Sequence, residues 1–230
     1  MCMGCDVASR RGFLSFAAAG AAGLLARPAR AATALTPEAA LARLKEGNRR
    51  YVAGPQMCVD DLRRQRADVA SGQSPYAVIL GCSDSRVAPE LIFGGVGLGE
   101  LFVARNAGNT ADPVTMGSIE YGAAKLGAPL VVVLGHAKCG AVAAACEMVA
   151  QHAVFDGSIG PMVKAIVPAA LAMRGRPGDF IDNTVRESAR MTARRIAIDS
   201  PVIRHLAHDG KVRVVYGRYD LDSGAVDFLG

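Results

Sequence analysis

The sequence predicts one α/β domain in which a mainly parallel central sheet, with an antiparallel strand at one edge, is flanked by helices. The first observation is a series of short, apolar, β-branched segments that end in glycine and a polar cluster, as buried parallel strands do. The second is the length of 230 residues, which allows one sizeable core and does not favour two domains. The third is the composition, 51% hydrophobic and 20% charged, which is typical of a well-buried domain and not of a disordered chain.

Residues 1–31 have the features of an export signal. The twin-arginine pattern Ser9-Arg10-Arg11-Gly12-Phe13-Leu14 precedes an apolar stretch over residues 13–25, and Ala29-Arg30-Ala31 supplies a small-x-small cleavage signature. A retained anchor helix is the alternative, but about thirteen weakly hydrophobic residues are too few to span a bilayer. We therefore predict a cleaved twin-arginine signal over 1–31, a single domain over 32–230 without a membrane span, and a periplasmic or otherwise exported location.

Each element of the domain follows from a local pattern. Thr36-Pro37-Glu38 is a helix cap and first turn, and apolar residues recur at helical spacing from Leu41 to Tyr51. Apolar runs bounded by glycine, proline and polar residues predict the other elements. The predicted helices cover residues 60–70, 89–93, 114–126, 141–151 and much of 162–209, where 180–198 is the longest segment. The predicted strands cover residues 76–80, 100–105, 129–134, 212–216 and 225–229.

Potential metal ligands follow two of the predicted strands. Cys82 and Asp84 come after the first, and His136 and Cys139 come after the third. Because the carboxyl ends of parallel strands meet at one edge of a sheet, we expect these side chains to lie close together. Two cysteines, one histidine and a fourth position that is open or filled by a carboxylate are typical of a catalytic zinc site.

The alternative interpretation of Cys82 and Cys139 is that both are small buried apolar residues, as cysteine often is. Their positions beside glycine and charged residues at strand ends argue against it. Cys58 and Cys146 could be packed thiols or disulfide partners, and their spacing leaves both possibilities open.

The charge distribution argues against a nucleic-acid surface. The formal net charge is +5, but without residues 1–31 the balance is 22 basic against 20 acidic residues. A net charge of +2 in a chain that has no Trp lacks the basic, aromatic-rich surface that nucleic-acid binding requires.

The longer motifs resemble the β-class carbonic anhydrases. Cys82-Ser83-Asp84-Ser85-Arg86 with His136-x-x-Cys139 carries the resemblance, which covers nearly all of residues 36–229. It includes Gly72-Gln73-Ser74-Pro75, Arg105-Asn106-Ala107-Gly108-Asn109 and the closing Tyr219-Asp220-Leu221-Asp222-Ser223-Gly224, in the order in which the family has them.

The resemblance implies a reaction and a set of residues for it. The reaction is the zinc-dependent reversible hydration of carbon dioxide to bicarbonate and a proton, in which zinc-bound hydroxide attacks carbon dioxide. One Zn²⁺ per subunit would be bound by Cys82, His136 and Cys139. Arg86 would hold Asp84 away from the fourth zinc position, although in some family members the aspartate becomes the fourth ligand and shuts the enzyme off.

The resemblance also implies how substrate is bound and how subunits assemble. Gln73 would donate a hydrogen bond to substrate, Phe102 and Tyr121 would form apolar walls, and the Gly140 amide could contact substrate. The family assembles as a homodimer or a dimer of dimers, in which N-terminal helices embrace the partner and the pocket lies at the dimer interface.

Two other functions use the same fold. One is a hydrolase of carbon disulfide or carbonyl sulfide, since a fold does not fix the substrate. The other is a non-enzymatic zinc-binding relative, which we would expect to have lost Asp84, Arg86 or Gln73. All three residues are present in this chain.

Overall fold

The computed structural model describes residues 32–54 and 65–230. The predicted export signal, Cys58 and residues 60–64 of the second predicted helix lie outside the described residues, while residues 65–69 of that helix are helical. Within the described part of the chain, no helix is both long enough and apolar enough to cross a membrane.

A five-stranded sheet organises the domain, and its spatial order is β2-β1-β3-β4-β5. The strands are β1 (Ala77–Cys82), β2 (Leu101–Asn106), β3 (Leu130–His136), β4 (Arg213–Tyr219) and β5 (Val226–Phe228). The first four are parallel, and β5 pairs antiparallel with β4 at the edge. The predicted fold class, a mainly parallel sheet with an antiparallel edge strand, is confirmed.

Helices cover both faces of this sheet. The described helices are α1 (Pro37–Ala53), α2 (Pro89–Ile92), α3 (Pro113–Glu120), α4 (Gly140–Gln151), α5 (Ile159–Lys164), α6 (Val167–Met173), α7 (Phe180–Asp199) and α8 (Pro201–His208). The predicted start of α1 is confirmed, because the Thr36 hydroxyl accepts a hydrogen bond from the Ala39 amide.

The central strands are buried on both faces, which explains their continuous apolar sequences. Every residue of β1 and β3 is buried. On one face Ile79 and Val132 pack in a core with Leu44 of α1, and on the other Val78 and Val131 pack in a second core that includes residues of α7. The loops that leave the carboxyl ends of β1 and β3 therefore start from a rigid base.

The structure differs from the predicted elements at the ends of two strands and within one helix. β1 and β3 continue to Cys82 and His136, so the predicted strand ends at 80 and 134 are two residues short. The predicted helix over 114–126 is α3 followed by a π-helical turn, Tyr121–Lys125. At this turn Gly122 lies against the sheet, where an added Cβ would lie 2.6 Å from Val78 Cγ2. Hydrophobic periodicity does not distinguish one wide turn from an α-helix.

Candidate metal centre

Three potential ligands form a compact buried group at the carboxyl edge of the sheet. Cys82 ends β1, His136 ends β3, and Cys139 is the N-cap residue of α4. The two sulfur atoms and a ring nitrogen all lie within 4.8 Å of one another, and the three residues are buried. The expectation that the two strand ends bring these residues together is confirmed.

The His136 ring leaves one nitrogen available for a metal ion. Its Nδ1 lies 2.9 Å from the Ala137 carbonyl oxygen, which can only accept, so Nδ1 carries the proton and donates. Nε2 then has a free lone pair, and it is buried without a hydrogen-bond partner among the described residues. An unsatisfied buried nitrogen costs about 1–3 kcal/mol, a cost that a coordinated cation would remove. Two thiols and this nitrogen are donors that suit a metal ion such as zinc.

The two thiols have very different proton affinities. The hydrogen bond from the Cys139 thiol lowers the pKa of Cys82 to about 4, and the Gly108 amide, 3.4 Å from Cys82 Sγ, acts in the same direction. The pKa of Cys139 is raised, first because its thiol is the donor to Cys82 and then because it is buried. The first amides of α4 favour the Cys139 thiolate, but the adjacent Cys82 outweighs them. Of the two thiols, Cys82 is therefore the one that loses its proton more readily.

Asp84 and Arg86 form a bidentate ion pair beside this group. Arg86 donates from Nε to Asp84 Oδ1 at 2.9 Å and from Nη2 to Oδ2 at 2.7 Å, and its amide also donates to Oδ1 at 3.0 Å. These hydrogen bonds hold the pKa of the Asp84 carboxyl well below its usual range. Asp84 Oδ2 lies 3.9 Å from His136 Nε2, so the carboxylate is close to the three ligands while its hydrogen bonds go to Arg86.

Two residues that support the group have roles that the sequence did not reveal. Arg105 donates from Nε to the Cys82 carbonyl at 2.9 Å and from Nη2 to the Asp84 carbonyl at 2.7 Å. Gly108, whose amide contacts Cys82 Sγ, has φ +85°, and an added Cβ would lie 2.5 Å from Ile166 Cδ1. The signal for both was the motif Arg105-Asn106-Ala107-Gly108-Asn109, which begins at the end of β2, next to the strand that ends at Cys82.

The structure does not bring Gln73, Phe102 and Tyr121 to the ligands of their own chain. Phe102 pairs with Val78, four residues before Cys82, which places it about 13 Å from the ligand end along the strands. The Tyr121 ring lies beside it, 6.1 Å between centroids, and Gln73 adjoins Gly99, just before β2 begins. By contrast, Gly140 is the exposed first residue of α4 and adjoins Cys139.

Comparison with known proteins identifies the family. The model of the carbonic anhydrase family matches residues 77–226. Carbonic anhydrase 2 of Mycobacterium tuberculosis (strain CDC 1551 / Oshkosh) is 40% identical over 192 residues, which are 82% of this chain and 90% of the relative.

Solved structures agree with this assignment. The Coccomyxa β-carbonic anhydrase has a TM-score of 0.64 at 26% identity, covering 82% of this chain and 86% of its own. One of the tetrameric β-carbonic anhydrases of Sordaria macrospora shares the fold, with a TM-score of 0.66 at 23% identity over 74% of this chain and 88% of its own. With its metal-ligand group at the carboxyl edge of a mainly parallel sheet, the chain belongs to the β-class carbonic anhydrase family.

Proposed function

We propose that this chain binds one zinc ion through Cys82, His136 and Cys139 and catalyses the reversible hydration of carbon dioxide to bicarbonate and a proton. The observation that carries the proposal is the buried group of two sulfurs and one unpartnered imidazole nitrogen, in a chain of the carbonic anhydrase family. When bound, zinc supplies a Lewis acid that makes water acidic enough to be a nucleophile near neutral pH.

The Asp84–Arg86 pair controls access to the fourth position beside the three ligands. Both oxygens of Asp84 accept hydrogen bonds from Arg86, so the carboxylate is held away from the group although it lies close to it. With zinc bound, an ionised Asp84 would also be placed to accept a hydrogen bond from a donor at the fourth position and so to orient it. Without Arg86, the same carboxylate would be free to occupy that position itself.

Gly140 provides a donor on the exposed side of the site. As the first residue of α4, it has an amide that is not needed for hydrogen bonding within the helix. An amide at a helix N-terminus favours an anion. We assign it to the binding of the bicarbonate oxygens.

The remaining substrate contacts come from a second subunit. Gln73, Phe102 and Tyr121 lie at the amino end of the sheet, too far along the strands to serve the ligands of their own chain. Gln73 is exposed and Tyr121 is 51% exposed, so both are available to another molecule. A homodimer or dimer of dimers in which each chain completes its partner's pocket accounts for this arrangement, and the related structure from Sordaria macrospora is described as tetrameric.

The domain is exported, in this proposal, by its N-terminal segment. The twin arginines Arg10 and Arg11 and the small residues around Ala31 support a signal over 1–31 that is removed from the catalytic domain over 32–230. Replacing both arginines with lysine should leave the protein in the cytoplasm with an uncleaved N-terminus. Unchanged export and processing of this variant would contradict the twin-arginine assignment.

The test of the function uses purified full-length protein and its natural metal content. Elemental analysis should give one zinc per chain, and stopped-flow assays should show carbon dioxide hydration that is lost when a chelator removes the metal and returns with added zinc. Carbon disulfide and carbonyl sulfide are assayed in parallel. Faster turnover of either sulfur compound would favour the hydrolase alternative, and a zinc-loaded protein inactive on all three substrates would favour a non-enzymatic relative.

A further inference from the structure

We propose that Arg105 is a positioning residue, which fixes the main chain of residues 82–84 so that Cys82 and Asp84 project correctly at the metal group. This inference rests on the proposed function because it concerns the same site. Arg105 contacts neither a sulfur atom nor the Asp84 carboxylate through the hydrogen bonds described. It acts on the two residues through their carbonyl groups.

The need for such a residue arises where β1 ends. The last hydrogen bond that joins this segment to β2 runs from the Ser83 amide to the Asn106 carbonyl at 3.1 Å. Beyond it the chain leaves the sheet, and its carbonyl oxygens need other donors. The Val87 amide donates to the Asp84 carbonyl at 3.0 Å. Arg105, which is in register with Gly81 on the neighbouring strand, adds a second donor to that carbonyl at 2.7 Å and donates to the Cys82 carbonyl at 2.9 Å.

The geometry of the guanidinium group suits this task. Its planar fork presents two N–H groups at a fixed angle, so binding two carbonyls that are two residues apart fixes the direction of the segment between them. A lysine ammonium is a single point donor on a flexible stem and cannot hold both carbonyls in one orientation.

Two arginines therefore hold Asp84 from different sides. Arg86 binds its carboxylate, and Arg105 binds its carbonyl. The Cys82 carbonyl shares the Arg105 guanidinium, which links the position of a metal ligand to that of the ion pair. If the guanidinium is lost, the segment relaxes, and both the ligand geometry and the separation of Asp84 from the fourth position change.

The experiment compares Arg105→Met and Arg105→Lys with matched variants of Arg190. That control is a partly exposed arginine on α7 whose guanidinium also makes two hydrogen bonds, both to Glu187 at 2.8 and 2.6 Å. Three properties are measured on the full chain: the zinc dissociation constant in competition with a chelator, the absorption spectrum of the cobalt-substituted protein, and carbon dioxide hydration.

We expect Arg105→Met to raise the zinc dissociation constant about tenfold or more, as loss of an outer partner of a metal site does, and to change the cobalt spectrum. Arg105→Lys should be intermediate, and the Arg190 variants should match the wild type in both measurements.

Wild-type zinc affinity with an unchanged cobalt spectrum in either Arg105 variant would overturn the inference, as would equal effects in the Arg190 variants. If Arg105→Met does not fold, Arg105→Lys decides alone. A wild-type protein that binds zinc but does not hydrate carbon dioxide would refute the proposed function, and the affinity and spectrum would still test Arg105.

Discussion

The two ends of the central sheet carry functional candidates of different kinds. At the carboxyl end, Cys82, His136 and Cys139 are buried and adjacent within one chain. At the amino end, Phe102 and Tyr121 are in contact with each other but lie far along the strands from the ligands. The carboxyl-end group is assembled within a single chain, whereas we propose that the amino-end residues act in a partner subunit.

If the proposed assembly is correct, function is divided between the folding of one chain and the association of two. The carboxyl-end group is fixed by the register of β1 and β3 and by the start of α4, so folding of one chain is enough to form it. In the assembly proposed above, the amino-end residues meet a metal group in a second copy of the chain. We therefore expect metal binding to survive changes at the amino end, whereas catalysis should depend on both ends.

The largest effect is expected from Cys139→Ser, which removes a ligand from the carboxyl-end group. Zinc content should fall to near zero, and hydration activity should drop by more than the 10–100-fold typical of disturbing an outer partner. The matched control is Cys146→Ser. Cys146 is also buried, but its thiol lies by the Thr184 hydroxyl at 3.4 Å and outside the ligand group. Full zinc loading of Cys139→Ser would refute the assigned ligand set.

Mixing two inactive variants tests whether the two ends act in different subunits. Gln73→Ala should lose about 100-fold in activity, the cost of removing one donor that acts on the reacting group, but should keep its zinc. When Gln73→Ala and Cys139→Ser are co-expressed, each mixed dimer contains one intact site. About a quarter of wild-type activity should therefore return if subunits pair at random. Co-expression without recovery, in dimers shown to be mixed, would place Gln73 in the site of its own chain.

Arg86→Ala tests the ion pair at the carboxyl end, and we expect a 10–100-fold loss of hydration activity with zinc retained. The reason is that Asp84 loses the two hydrogen bonds that direct it away from the fourth position. Arg190→Ala breaks a similar pair with Glu187 on α7 and should be almost fully active. Retention of most activity by Arg86→Ala would contradict the control of the fourth position by Arg86.

The smallest effect is expected from a change at Asp220, in the turn after β4 at the same carboxyl edge, and it concerns stability. The Ser223 amide and hydroxyl and the Arg218 guanidinium hold the pKa of Asp220 well below its usual range. A lowered pKa means that this stabilisation is present above the ordinary pKa of about 4 and is lost as the pH falls through the folded value.

Asp220→Asn in metal-free protein should therefore lower the melting temperature at pH 7 by about 2–4 °C. The difference from wild type should shrink as the pH is lowered below about 4, the ordinary value for aspartate. The control is Asp222→Asn, at an exposed carboxylate whose ion pair with Lys138 should contribute little. Melting curves recorded over this pH range check the prediction, which a constant difference would contradict.

The sequence predicted the candidate site best where polar residues directly follow a buried strand. Glycine followed by Cys82 and Asp84, and glycine followed by His136, mark the points at which buried strands deliver polar residues, so the ligand group could be predicted. The family motifs then added the candidates Arg86, Gln73, Phe102, Tyr121 and Gly140. The π-helical turn Tyr121–Lys125 was missed, because hydrophobic periodicity does not distinguish one wide turn from an α-helix.

What the sequence determined by itself is the order of strands and helices along the chain, the candidate metal-ligand residues and the family, because these depend on local periodicity and on motifs. Only the tertiary structure decided which of the other candidate residues lie near that ligand group. Strand register brings Cys82 to His136 and separates both from Phe102, and it places the Arg105 guanidinium on the carbonyls of a neighbouring strand. Contacts between distant parts of the chain depend on register and packing, which no local pattern encodes.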